Sequence, residues 1–86
     1  MSAVISVRVM VPDVWDEVSL ELPAATSFGE LKRLALARSR VMRDPAGYVV
    51  KYRGAEQQDE AQTLAAAGVV PNAPLIVLPR RRRPLR

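Results

Sequence analysis

Residues 4–22 carry two period-two hydrophobic patterns back to back, and no other feature narrows the possible folds of this 86-residue chain as much. Ile5, Val7, Val9 and Val11 share one face of an extended segment, while Ser6, Arg8 and Met10 share the other. Successive side chains of a strand point to opposite faces, so alternation this rich in β-branched residues predicts a half-buried strand. Pro12 and Asp13 interrupt it, because proline cannot donate to a strand ladder and aspartate favours turns. Alternation then resumes with Val18, Leu20 and Leu22 against Glu17, Ser19 and Glu21. Two strands separated by so few residues predict an antiparallel hairpin.

Beyond the hairpin the period changes. Pro23 ends the second strand, and Ser27 with Glu30 has the serine-x-x-glutamate spacing that opens a helix. Phe28, Leu31, Leu34 and Ala35 follow at helical spacing, with Val41 and Met42 continuing the stripe and Lys32, Arg33 and Arg40 directed elsewhere. Pro45 and Gly47 stop this helix after three to four turns. Tyr48 to Tyr52 returns to strand character, and the polar residues Glu56 to Gln62 read as loop or irregular edge. A short helical turn opens at Thr63-Leu64 and ends at Gly68, the residue best suited to a left-handed terminus. Val69 and Val70 are expected to pack inward. Leu75 to Leu78 is a short apolar strand of the kind found in the middle of a sheet.

The order strand, strand, helix, strand, turn, strand predicts an α+β domain of β-grasp type, over residues 1–79. In that arrangement the helix is the crossover that sets the last strand beside the first, in parallel, within a mixed sheet of four to five strands. The expected core is Ile5, Val7, Val9, Val18, Leu20, Phe28, Leu31, Ala35, Val50, Leu64, Val69, Leu75 and Val77. Trp15, between the first two strands, is expected to cap one end of that core because of the area tryptophan buries, with partner binding as the alternative.

Three segments together resemble the carboxyl-terminal half of ubiquitin-like proteins: Tyr48-Val49-Val50-Lys51-Tyr52-Arg53-Gly54, Thr63-Leu64 with Gly68-Val69, and Leu75-Ile76-Val77-Leu78. The resemblance runs over nearly all of residues 3–79. It implies the β-grasp fold and action through protein contacts. One family feature is missing. Conjugated members and sulfur carriers act through a carboxyl-terminal diglycine, whereas Gly29, Gly47, Gly54 and Gly68 stand apart here. Conjugation and sulfur transfer are therefore not expected. Within the family the chain looks most like the small bacterial ubiquitin-like proteins associated with type VII secretion, which share the fold and lack the diglycine. That resemblance implies a partner in a cytosolic domain of the membrane secretion machinery. The position matching the family's central binding isoleucine is Lys51. Val49, Lys51, Ile76 and Leu78 should neighbour one another on the outer sheet face, and they form the expected protein-binding patch.

Composition removes other classes. The chain has no cysteine and no histidine, so it lacks a thiolate nucleophile, the usual general base and the commonest metal ligands. Asp59 and Glu60 are too isolated to suggest a metal site or an acid–base pair. No enzymatic activity, cofactor or small-molecule substrate is expected. No apolar run approaches the ~20 residues that span a bilayer, and the chain reads as cytoplasmic and monomeric.

The net charge of +4 is concentrated at one place. Arg80, Arg81, Arg82, Arg83 and Arg86 supply five of the thirteen basic residues, leaving a body of eight Lys and Arg against nine Asp and Glu. Such a run repels itself and cannot pack, so residues 80–86 are expected to form a disordered basic tail that meets polyanions. A nucleic-acid-binding protein using this arm on a β-grasp scaffold is the alternative function. No aromatic residue interleaves the arginines, so stacking on bases is not supported. A membrane-surface arm is a further reading of the tail, but the segment contains no apolar anchor. Arg38, Arg40 and Arg43 near the end of the main helix are explained by the helix dipole.

Overall fold

β1 (Val4–Val11) and β2 (Asp16–Pro23) pair antiparallel along their whole length, from Val4↔Pro23 to Val11↔Asp16, in a computed structural model that describes residues 4–80. The hairpin is closed by a single 3-10 turn, Pro12–Val14, and by Trp15 in the left-handed region at φ 54°. The Trp15 amide donates to the Pro12 carbonyl. After the helix come β3 (Tyr48–Tyr52) and β4 (Ala55–Glu56), which pair antiparallel, then a short helical turn, then β5 (Ala73–Pro79). β5 lies parallel to β1 and antiparallel to β3. The strand order β2-β1-β5-β3-β4 puts the apolar last strand at the centre, as its composition predicts.

The main helix, α1 (Phe28–Arg38), lies across one face of this five-stranded mixed sheet. Its buried positions are Phe28, Leu31, Lys32, Ala35 and Leu36, together with Gly29. Spacings of three, four, seven and eight residues define one helix face, and Leu34 falls off it and is exposed. The apolar stripe therefore continues through Leu36 and not Leu34. Met42 lies beyond the helix and is also exposed, while Val41 is half-buried against the core. From the sheet, Ile5, Val7, Val9, Val11, Leu20, Leu22, Tyr48, Val50, Tyr52, Leu75 and Val77 meet the helix face. All of the expected core is buried except Val18, which packs half-buried at its edge. Val70 is exposed, contrary to expectation, and Val69 alone turns inward.

Both helices begin on hydroxyl caps that face each other. The Ser27 hydroxyl accepts from the Glu30 amide at 3.2 Å, and the Thr63 hydroxyl accepts from the Ala66 amide at 3.1 Å. The second helix, α2 (Leu64–Ala67), ends at Gly68 with φ 76°, the left-handed terminus that glycine adopts without steric cost. The irregular segment before it closes the amino-terminal end of α1. The Phe28 amide donates to the Gln62 carbonyl and the Gly29 amide to the Glu60 carbonyl, which satisfies donors that no helical turn can reach. A Cβ at Gly29 would meet that Glu60 carbonyl oxygen at 3.3 Å, so the segment packs closely there.

Lys32 and Glu60 depart most from their sequence reading. Lys32 occupies a core position of α1, only 3% exposed, and its ammonium donates to Glu60 Oε2 at 2.7 Å and to the Tyr48 carbonyl at 3.0 Å. Glu60 is thus no solvated loop residue but the counter-ion of a buried lysine. Removing one partner of such a pair strands the other charge. Glu60→Ala is expected to lower the unfolding free energy by roughly 1–3 kcal/mol, the cost of a stranded buried donor. Glu60→Gln should lie between this variant and the native chain in a urea titration, because the amide oxygen still accepts the bond.

Candidate protein-binding surface

The pleat that points Val9, Leu75 and Val50 into the core points their neighbours outward, so the far side of the sheet follows from the strand register. One row crosses all five strands: Glu17 pairs with Met10, Met10 with Ile76, Ile76 with Lys51, and Lys51 with Glu56. Met10 and Ile76 are each 39% exposed at its centre, and charges of both signs stand outside them. In the next row Leu78 faces Val49 across β5 and β3. An apolar centre with a charged rim has the anatomy of a protein interface.

The four expected patch residues all occur on this face, with different accessibilities. Ile76 is exposed, and Lys51 and Leu78 are half-buried. Val49 is only 6% exposed, so it supports the surface from below more than it offers area to a partner. Val49, Lys51, Glu56, Leu78, Pro79 and Arg80 line an open depression of about 570 Å³ beside the apolar row. Met10 belongs to the same surface and escaped sequence reasoning. Its alternation with Val9 and Val11 marks it as outward, but only the parallel β1–β5 register sets it against Ile76.

Arg80 is fastened at the edge of the depression. Its amide donates to the Gly47 carbonyl at 2.7 Å, and its guanidinium stands 4.0 Å from the Glu56 carboxylate. An exposed ion pair of this kind adds little stability. The other expected tail residues, Arg81, Arg82, Arg83 and Arg86, lie outside the described residues.

The sheet edges are poor docking sites by comparison. β4 has only two residues, and β2 presents Glu17, Glu21 and Pro23 along its free side, features that discourage strand addition. Among the described residues, no group of three acidic, histidine or cysteine side chains is placed to hold a metal.

A separate polar cluster closes the end of the sheet near the hairpin turn. The Tyr48 hydroxyl donates to Asp13 Oδ2 at 2.6 Å, and Arg43 stands 4.0 Å from the same oxygen. The bond to Asp13, with burial and the carboxylate charge adding to it, holds the Tyr48 phenol above its ordinary value of 10.0. The native state then keeps the proton more tightly than the unfolded chain. The resulting stability is fully present below pH 10.0 and is lost as pH rises through the higher native value. Tyr48→Phe should be less stable than the native protein by about 1 kcal/mol at neutral pH. The difference between the two, followed by denaturant titration, should shrink at strongly alkaline pH.

The sheet is thus mixed, ordered β2-β1-β5-β3-β4, with α1 as the crossover between parallel central strands. No family model and no curated protein sequence matches the chain. Solved structures do. The ubiquitin of Caldiarchaeum subterraneum superposes with a TM-score of 0.78 at 15% identity, over 93% of this chain and 98% of that one. The fold is that of ubiquitin. The ubiquitin-like domain of an Arabidopsis thaliana protein gives a TM-score of 0.75 at 17% identity, covering 96% of this chain and 84% of that one. A de novo protein designed on ubiquitin gives 0.77 at 16% identity, covering 93% of each chain. At these identities what is shared is the ubiquitin-like backbone.

Proposed function

We propose that this ubiquitin-like protein is a non-conjugated, non-catalytic binding or regulatory subunit whose contact surface is the outer sheet face. The observation that carries the reading is the Glu17–Met10–Ile76–Lys51–Glu56 row, an apolar centre with charges at its ends on the side of the sheet opposite α1, which no helix among the described residues covers. The absence of adjacent glycines among the 86 residues supports the non-conjugated part, since activating enzymes admit a backbone without side chains. Resemblance to the small bacterial ubiquitin-like proteins associated with type VII secretion supports a narrower proposal. Its partner would be a cytosolic domain of a membrane secretion complex, and the protein would act in the cytoplasm.

The test is site-specific photocrosslinking in the native cell. A photoreactive side chain at Ile76 should yield a discrete protein adduct, and one at Leu34, on the exposed side of α1, should not. Adducts at Leu34 alone would move the interface to the helix.

A further inference from the structure

Trp15 does not cap the core. It is 90% exposed, on a turn whose left-handed backbone suits glycine or asparagine far better than a bulky aromatic side chain. Nothing in the packing explains a tryptophan at this position. Its neighbour Val14 is also exposed, and Met42, on the segment between α1 and β3, is 94% exposed. Asp13 ties these two segments together at one end of the sheet through Tyr48 and Arg43. β5 ends at that same end, because it runs parallel to β1 and its Pro79 pairs with Tyr48. Arg80, the last described residue, therefore stands at the same end of the sheet as the protruding apolar side chains.

We propose that this end of the domain docks on an anionic lipid surface, with Trp15, Val14 and Met42 entering the headgroup region and the arginines meeting lipid charge. Arg80 is anchored to the domain, and the six residues after it carry four more arginines within a reach of about 20 Å. Arginines alone bind such a surface weakly and reversibly, and durable binding needs an apolar contribution. The sequence of the arginine segment contains no such anchor, but the fold supplies one from two distant segments. Tryptophan prefers the membrane interface, where its ring is half apolar and its indole N–H remains hydrated. Side chains standing clear of the surface suit a deformable lipid layer. Trp15 offers one stacking face, but Val14 and Met42 beside it have no flat face that would extend it for successive bases, which disfavours nucleic acid. The carboxylates at this end, Asp13, Asp16, Glu17 and Asp44, keep their charge against Arg43 and Arg80, so the attraction to anionic lipid comes from the four arginines that follow Arg80 in the sequence. No helix among the described residues is long and apolar enough to cross a membrane, so the contact is peripheral.

Trp15 is the only tryptophan in the chain, so its emission reports the contact directly. With phosphatidylcholine vesicles containing phosphatidylglycerol, its emission should shift to the blue and be quenched by lipids brominated in the upper acyl chain. Pure phosphatidylcholine should give much less of both. Replacing Arg81, Arg82 and Arg83 with serine should weaken partitioning by roughly a hundredfold, about fivefold for each arginine. In vesicle flotation Trp15→Asn should bind several-fold less well, while its far-ultraviolet circular dichroism and unfolding midpoint match or exceed those of the native chain. Ile76→Asp should leave vesicle binding unchanged, so this result stands or falls apart from the sheet-face reading. Unchanged emission with anionic vesicles would overturn the proposal. So would a shift without acyl-chain quenching that poly-uridylate or an acidic peptide reproduces, which would assign the arginines to nucleic acid or to a protein.

Discussion

Leu31→Ala is expected to lower the unfolding free energy by roughly 2–5 kcal/mol, the range for emptying a fully buried leucine site. Leu31 is completely buried at the middle of α1, where the helix crosses the sheet. A domain of this size has a total stability on the order of 5–10 kcal/mol, so the variant should be partly unfolded at modest urea concentrations. Leu34→Ala removes the same atoms three residues later, from the exposed side of the same helix. It should cost no more than about 0.5 kcal/mol. The contrast is informative because chemistry and helix propensity are identical in the two variants, and only the face differs. Equal losses in denaturant titration would mean that α1 does not face the sheet through Leu31, Ala35 and Leu36.

The hairpin, α1, the glycine-terminated turn and the central last strand were legible because each is written in a local rule. Alternation fixes a strand's faces, Ser27 and Thr63 announce helix starts, and Gly68 announces a stop. Tertiary decisions were not legible in this way. Lys32 fits the apolar spacing of α1 and would have been noticed there, but its charge argued for an outward position. Only the fold brings Glu60 and the Tyr48 carbonyl to its ammonium. Trp15 was misplaced because size alone suggests burial, whereas the turn geometry after Pro12–Val14 directs it to solvent. At the candidate surface, Ile76, Leu78 and Lys51 followed from alternation. The burial of Val49 and the inclusion of Met10 depend on which strands become neighbours, a property of the whole sheet.

The second large effect concerns binding. Ile76 lies at the centre of the outer row, between Met10 and Lys51. An aspartate there would be carried into the middle of a contact surface, where an unpaired carboxylate is costly to dehydrate. The loss should reach at least about thirtyfold in affinity, equivalent to the 2 kcal/mol that defines an interface hot spot. The fold should survive, since Ile76 is an exposed outer-face residue and the helix-facing core is untouched. Replacing Arg81 to Arg83 with serine should act differently, slowing association and reducing its salt dependence without abolishing the complex.

The most direct measurement is therefore the affinity of the partner crosslinked through position 76, titrated against the native chain, Ile76→Asp and the triple serine variant, with unfolding midpoints recorded for each. The sheet-face reading predicts that Ile76→Asp alone eliminates specific binding while its midpoint stays near that of the native chain. A complex that survives Ile76→Asp and disappears with the serine variant would contradict it.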